Sequence, residues 1–262
     1  WSYNNLYIND GDGTFTETTT GDVVDEINYS SNGSSWADYD DDGDMDLFVS
    51  TVWGDNNVDY LYDNNGDGTF TKVTTGDIVT TQRMSWGGVW GDYDGDNDLD
   101  VIVTGHEDSE NEAIYTNNGD GTFTTLSGSD VVTNGMASKN VNWVDYDNDD
   151  DFDIFVCNRA GYTNSLWKNN GDGTHTLITD NPFSDDGDDS YTSSWADYDN
   201  DMDLDLFIGN YSLGDRLYQN NGDGTFTSIT DASMSQINDR TTGASWGDID
   251  NDGNLDLIVN QR

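Results

Sequence analysis

Apolar and polar positions alternate in short runs along almost the whole chain, and no stretch carries helical periodicity. The first complete copy of the pattern shows four such runs. Strand a, about 34–38, ends on Trp36-Ala37; an acidic loop covers about 38–46; strand b, about 45–50, holds Leu47-Phe48-Val49. Strand c, about 59–63, holds Leu61-Tyr62, and strand d, about 69–74, starts at Phe70. Between c and d stands Asn-Gly-Asp-Gly, whose residues tolerate the positive φ of a hairpin turn. The a–b unit recurs at Trp36, Trp90, Trp143, Trp195 and Trp246, and the c–d unit at Leu6, Leu61, Ile114, Leu166 and Leu217. Four antiparallel strands repeated at roughly 50 residues are the pattern of a propeller blade.

The expected fold is therefore all-β, a five-bladed β-propeller in one domain, 1–262. Its blades lie at about 34–75, 86–127, 140–179 and 193–230, with 244–262 joined to 1–17 as the fifth. Pairing the N-terminal c–d hairpin with the C-terminal a–b strands would close the ring and remove exposed strand edges. The five tryptophans, recurring in register, are expected to pack blade against blade.

The a–b loops carry the chemistry. Acids occupy loop positions 1, 3, 5 and 9: Asp38, Asp40, Asp42 and Asp46; Asp92, Asp94, Asp96 and Asp100; Asp145, Asp147, Asp149 and Asp153; Asp197, Asp199, Asp201 and Asp205; Asp248, Asp250, Asp252 and Asp256. Position 7, filled by Asp44, Asp98, Asp151, Asp203 and Asn254, can add its backbone carbonyl. Alternate carboxylates on a tightly curved backbone suit a hard cation that takes 6–8 oxygen ligands, so one Ca²⁺ per blade is expected, five in all. A single Asp-x-Asp-x-Asp-Gly stretch is equally a soluble turn; five in one register are not. Without a cation the carboxylates would repel one another and rise in pKa. Position 6 needs a turn residue. Gly43 and Gly253 suit it, Asn97 and Asp150 less so, and Met202 least, which makes the fourth site the expected weak or distorted one. The Asp of each c–d turn is read as turn chemistry.

Composition sharpens this picture. The chain carries 53 acids against 8 Lys and Arg, a formal charge of −45, with only 33% hydrophobic residues. Its 9 Trp and 14 Tyr supply large buried areas where aliphatic residues are few. Such a charge disfavours nucleic acid and anionic lipid as partners. No apolar run approaches the roughly 20 residues of a membrane span. The lone Cys157 sits in an apolar run and reads as a small buried hydrophobe. Few cysteines with many acid sites suit a secreted or cell-surface protein in a calcium-rich medium.

Trp-x-Asp-Tyr-Asp-x-Asp-Gly-Asp-x-Asp-Leu, followed by Leu-Tyr-x-Asn-Asn-Gly-Asp-Gly-Thr-Phe, resembles the FG-GAP/VCBS repeat family, whose repeats form the blades of integrin-α-like propellers. The resemblance spans essentially all of residues 1–262. It implies that the a–b loops are Ca²⁺ sites on one face of a disc.

The other ends of the strands vary between repeats. Trp53, Tyr162 and Tyr211 in b–c loops, with Trp86 and Tyr191 in d–a connectors, are candidate ligand contacts, since exposed rings stack on sugars; packing between blades is the competing reading. Two histidines, His106 and His175, and the lack of a Gly-x-Ser-x-Gly, His-Glu-x-x-His or Gly-Lys-Thr stretch argue against an enzyme. The expectation is a non-catalytic, calcium-stabilised extracellular propeller for recognition, adhesion or assembly, with a protein or glycan partner. A carbohydrate-binding lectin and a repeating subunit of an extracellular filament are the alternatives. A calcium-assisted polysaccharide lyase is more remote, for it needs a base the sequence does not identify.

Overall fold

The computed structural model describes residues 3–25, 30–53, 57–106, 111–132, 137–184, 187–230 and 240–262. The chain divides into two compact units, 1–128 and 129–262. The first unit opens with the hairpin β1 (Leu6–Asn9) and β2 (Phe15–Thr18). Two antiparallel four-stranded meanders follow. One is β3 (Ser31–Ala37), β4 (Asp46–Thr51), β5 (Tyr60–Asn64) and β6 (Phe70–Lys72). The other is β7 (Ser85–Gly91), β8 (Asp100–Gly105), β9 (Ala113–Asn117) and β10 (Phe123–Thr125). The second unit has the meander β11 (Ser138–Val144), β12 (Asp153–Asn158), β13 (Ser165–Asn169) and β14 (His175–Ile178). Beside it run β15 (Ser190–Ala196), β16 (Asp205–Asn210), β17 (Arg216–Asn220) and β18 (Phe226–Ile229), then the pair β19 (Thr241–Gly247) and β20 (Asp256–Gln261).

This is the all-β, four-strand repeat that the sequence predicts. The terminal hairpins β1–β2 and β19–β20 are each recorded as a two-stranded sheet, and their union into a fifth blade stays an expectation. Strand a starts earlier than the alternation indicates. It carries a register shift near its start in all five copies, between Ser31 and Ser34, Ser85 and Gly88, Ser138 and Asn140, Ser190 and Thr192, and Thr241 and Gly243. A bulge breaks the two-residue period and hides the first residues of the strand.

Strand b has a ladder on both sides in every meander, and β4, β8, β12 and β16 are buried along their whole length. Its counterpart β20 pairs on one side and has no buried residue. Within each unit neighbouring sheets meet through aromatic rings. Trp90 stacks on Tyr39 and meets Phe48 edge-on, and Trp195 meets Phe155 edge-on at 5.4 Å. Trp246 stacks on Tyr198. For these three the expected packing between blades holds. Gly88 is required here: a Cβ on it would lie 2.6 Å from the Phe48 ring. Cys157 is buried in the core of the second unit, as expected.

The connectors correct one expectation. One-turn helices occur at α1 (Asp22–Asp25) and α2 (Asp77–Thr80), with a 3₁₀ turn at Asp130–Val132. They place Val23, Val24, Ile78, Val79 and Val131 in the core, and Phe183, after the single proline, is also fully buried. Turns this short show no period, yet Gly-Asp-Val-Val, Gly-Asp-Ile-Val and Ser-Asp-Val-Val repeat in the sequence. The Asp22 carboxylate accepts the Lys72 amide of β6 at 2.9 Å, and that of Asp77 accepts the Thr125 amide and hydroxyl of β10. The connector thus satisfies edge-strand donors that would otherwise be open.

Candidate functional site

Each acidic loop is folded by its own carboxylates. The first Asp accepts the backbone N–H of position 6 in all five: Asp38 from Gly43, Asp92 from Asn97, Asp145 from Asp150, Asp197 from Met202 and Asp248 from Gly253, at 2.9–3.1 Å. The position-5 Asp accepts the N–H of position 7, as Asp42 does from Asp44 and Asp252 from Asn254. Two residues per loop take positive φ. Position 6 does so whichever residue stands there, and position 4 (Asp41, Gly95, Asn148, Asn200, Asn251) does so as well, a constraint the sequence reading missed. Met202 adopts φ 78° with its side chain in solvent, and its amide bond to Asp197 is kept. The fourth loop therefore keeps the common backbone, against the expected distortion, because an unbranched exposed side chain meets nothing there.

These bonds bring the odd-numbered carboxylates together. Oxygens of Asp38, Asp40 and Asp42 lie within 4.8 Å of one another, as do those of Asp92, Asp94 and Asp96. The corresponding trios are Asp145, Asp147 and Asp153; Asp197, Asp199 and Asp205; and Asp248, Asp250 and Asp256. Asp38 Oδ1 is buried with no hydrogen-bond partner. Convergent acceptor-only oxygens, two of them (Asp38 Oδ1 and, in the third loop, Asp147 Oδ1) buried without a donor, fit a hard divalent cation, with the position-1, -3, -5 and -9 acids as the residues that would hold it. The position-7 carboxylates of Asp44, Asp98, Asp151 and Asp203 are turned elsewhere. They lie over Gly66, Gly119, Gly171 and Gly222 of the following hairpin, where a Cβ would fall 2.5–2.8 Å from a carboxylate oxygen. Only their backbone carbonyls remain for a cation.

The position-9 acids have a second task. Asp100 is fully buried and accepts the amides of Tyr93 and Asn117, both at 2.7 Å. Asp46, Asp153 and Asp205 make the same pair of bonds. Burial outweighs these bonds and pushes Asp46 and Asp205 up to about 6, and Asp100 and Asp153 up to about 7. Asp40, Asp94 and Asp199 are raised by burial and then by the neighbouring acid, the repulsion expected of a cluster without a cation. The c–d turn Asp residues behave as turn residues. Asp67 accepts the Thr69 amide and hydroxyl, and these bonds lower its pKa.

The hairpins contribute residues that the sequence reading passed over. Asn117 Nδ2 donates to the Tyr39 carbonyl in the first acidic loop at 2.6 Å, and Asn220 Nδ2 donates to that of Tyr146 in the third at 2.7 Å. Strands β9 and β17 thus hold the acidic loop of the preceding sheet. In the second unit the fourth residue of strand c faces the loop of its own sheet. Gln219 Nε2 donates to Asp199 at 2.6 Å, and Lys168 Nζ donates to Asp147 and, at 2.8 Å, to Asp149. Hydrogen bonding to Lys168 lowers Asp149.

The candidate ligand aromatics divide into two groups. In the first unit Trp53 is 64% exposed and meets His106 edge-on at 5.0 Å, while His106 stacks on Trp86 at 4.4 Å. In the second, Tyr191 and Tyr211 stack at 4.5 Å, with Lys139 over the first ring and Arg240 over the other. That cation–ring–ring–cation stack engages the tyrosine faces, so a sugar could meet only their edges. Tyr162 is exposed at its loop. His175 is held down to about 4 by burial.

The FG-GAP-like repeat matches residues 1–49, 51–103, 92–156, 145–208 and 197–259. No curated protein matches the chain. Among solved structures, a lectin of Agrocybe aegerita, described by its specific recognition of non-reducing terminal N-acetylglucosamine, superimposes with a TM-score of 0.64 at 21% identity. That match covers 97% of this chain and 68% of the lectin. The V. cholerae biofilm matrix protein Bap1 matches with a TM-score of 0.51 at 17% identity, over 88% of this chain and 35% of its own. At these identities the likeness concerns the fold.

Proposed function

As the chain belongs to the FG-GAP-like repeat family, we propose that it is a non-catalytic, calcium-stabilised β-propeller of the cell exterior that works in recognition and adhesion. The observation that carries this reading is a carboxylate trio in each of the five acidic loops, always built on positions 1 and 3 with either position 5 or position 9. Bound Ca²⁺ would cancel carboxylate repulsion at the a–b corners, and binding would then add to folding stability. The chain's own part is to fix the oxygens: the position-1 Asp closes the loop, and in the four meanders the buried position-9 Asp ties it to strand c. Calcium titration followed by thermal melting tests the proposal. Melting should shift upward with Ca²⁺ and fall with chelator, and a Tm indifferent to both removes the claim.

The ligand we propose is a glycan, met first by Trp53. Its exposed indole, backed by His106 and Trp86, offers an apolar ring in an acidic surface, where a sugar can stack and hydrogen-bond. The lectin among the fold neighbours supports trying terminal N-acetylglucosamine first. A glycan array with the wild type and Trp53→Ala checks this. Signal lost in the variant supports it, and a wild type silent on every glycan, or a variant that binds as well, refutes it.

A further inference from the structure

We propose that Lys168 is the resident counter-ion of the third acidic loop, which therefore takes no divalent cation while the other acidic loops do. The inference rests on the calcium reading of those loops and deepens it. Strand c presents one side chain to the acidic loop of its own sheet: Asp63, Thr116, Lys168 and Gln219 in the four meanders. All four stand in the same register, opposite Thr71, Thr124, Thr176 and Thr227 across the c–d hairpin. The position therefore faces one way in every repeat, and what differs is its charge.

In the third loop the ammonium bonds Asp147 and Asp149, which hold positions 3 and 5, where Asp40 and Asp42 stand in the first loop. Those are the oxygens a cation would need. An ammonium is a compact charge with three donors, and it suits a group of acceptor-only oxygens. A divalent ion entering the trio of Asp145, Asp147 and Asp153 would have to expel the ammonium or sit within a few ångströms of it, where like charges repel strongly. The fourth loop meets the Gln219 amide at this position, while in the second sheet the position is the neutral Thr116, whose hydroxyl donates to the Thr124 carbonyl across the hairpin. In the first sheet the same register position is Asp63, a further carboxylate. The repeats thus run from an added acid to a built-in cation on an otherwise constant loop. This grading differs from the one that position 6 suggests, which would single out Met202.

The test counts ions. Calcium bound per chain is measured by equilibrium dialysis and metal analysis for the wild type, Lys168→Gln and Thr116→Lys. Lys168→Gln copies the fourth loop and should bind one more ion than the wild type. Thr116→Lys copies the third and should bind one fewer. A wild type that binds calcium with the same count in both variants overturns the inference and leaves the calcium reading standing. Should Lys168→Gln fail to fold, Thr116→Lys alone decides in the same way. A wild type that binds no calcium removes the calcium reading, and the metal-free arm then judges Lys168. In chelator, Lys168→Gln should melt below the wild type, because Asp147 and Asp149 lose their counter-charge, and an unchanged melt refutes the role.

Discussion

Asn117 offers the sharpest test of how the acidic corners are held. Its side chain is 4% exposed and makes three bonds. Nδ2 donates to the carbonyls of Tyr39 at 2.6 Å and Leu99 at 3.3 Å, and Oδ1 accepts the Gly119 amide at 3.1 Å. Asn117→Ala deletes all three and leaves the Tyr39 carbonyl without this donor. Buried polar groups left unpaired cost about 1–3 kcal/mol each. The 3.3 Å bond is weak, and the Gly119 amide lies nearer the surface, so we expect a total of about 2–4 kcal/mol. For a chain of this size that corresponds to a fall in Tm of roughly 5–10 °C. Asn117→Asp keeps the volume and the Gly119 bond but turns an acceptor toward two carbonyls beside Asp100, so it should be at least as harmful as alanine. The control is Asn118→Ala one residue on. Asn118 bonds Thr122 and Thr124 in the exposed turn, and its loss should stay below about 1 kcal/mol. Thermal and urea unfolding of the four proteins, in chelator, measures the differences. Equal falls for Asn117→Ala and Asn118→Ala, or a harmless Asn117→Asp, would refute the argument that this amide anchors the neighbouring loop.

Further expectations follow from the same geometry. In metal-free protein the folded pKa values of Asp46, Asp100, Asp153 and Asp205 stand at about 6–7 against an ordinary 3.8. An acid raised by folding favours the folded state below its unfolded pKa, and that stability is lost as pH rises through the folded value. With chelator present, Tm should therefore fall between about pH 4 and pH 7, and saturating Ca²⁺ should flatten or reverse the slope; a metal-free Tm that rises across this window contradicts the burial argument. Gly66→Ala should destabilise more than Gly68→Ala. Both glycines have positive φ, but only at Gly66 would the methyl meet the Asp44 carboxylate, so equal losses in urea unfolding would rule the contact out. Phe183→Ala removes a fully buried ring that meets Phe155, Tyr218 and Phe226 edge-on, with an expected loss of about 3–5 kcal/mol in urea unfolding.

What the sequence made legible, and what it did not, follows from the range of the interactions. The period of the tryptophans and the alternation within each strand are local, and they located the meanders to within a few residues. The loops were legible for the same reason: Asp38 closes on Gly43 and Asp42 on Asp44, all within one short stretch. Bulges at the start of strand a broke that local signal, and the Asp-Val-Val turns were too short to carry one. Beyond these, the missed residues act across strands or across sheets. Asn117 looks like half of an Asn-Asn turn until β9 is set beside the Tyr39 loop, 78 residues earlier in the chain.

Lys168 is the extreme case. It belongs to a hairpin whose other residues are almost invariant between repeats, and it reaches Asp147 only because β13 lies against β12 in a fixed register. In a repeat protein the residues that make one copy unlike another need not lie within the motif that defines the copy. Here the acidic loop, which attracts the eye, is nearly constant, and the strand-c position facing it changes from carboxylate to ammonium. If charge at that position sets how each loop meets a cation, the five corners are not interchangeable. Titration should then resolve calcium sites of different strength, ordered by Asp63, Thr116 and Gln219 rather than by the turn residues Gly43, Asn97 and Met202. The strongest site would be the first and the third would be silent. Binding isotherms of single-loop variants such as Asp40→Asn, Asp94→Asn and Asp199→Asn can assign that order, and identical affinities in all loops would show that the facing side chain does not matter.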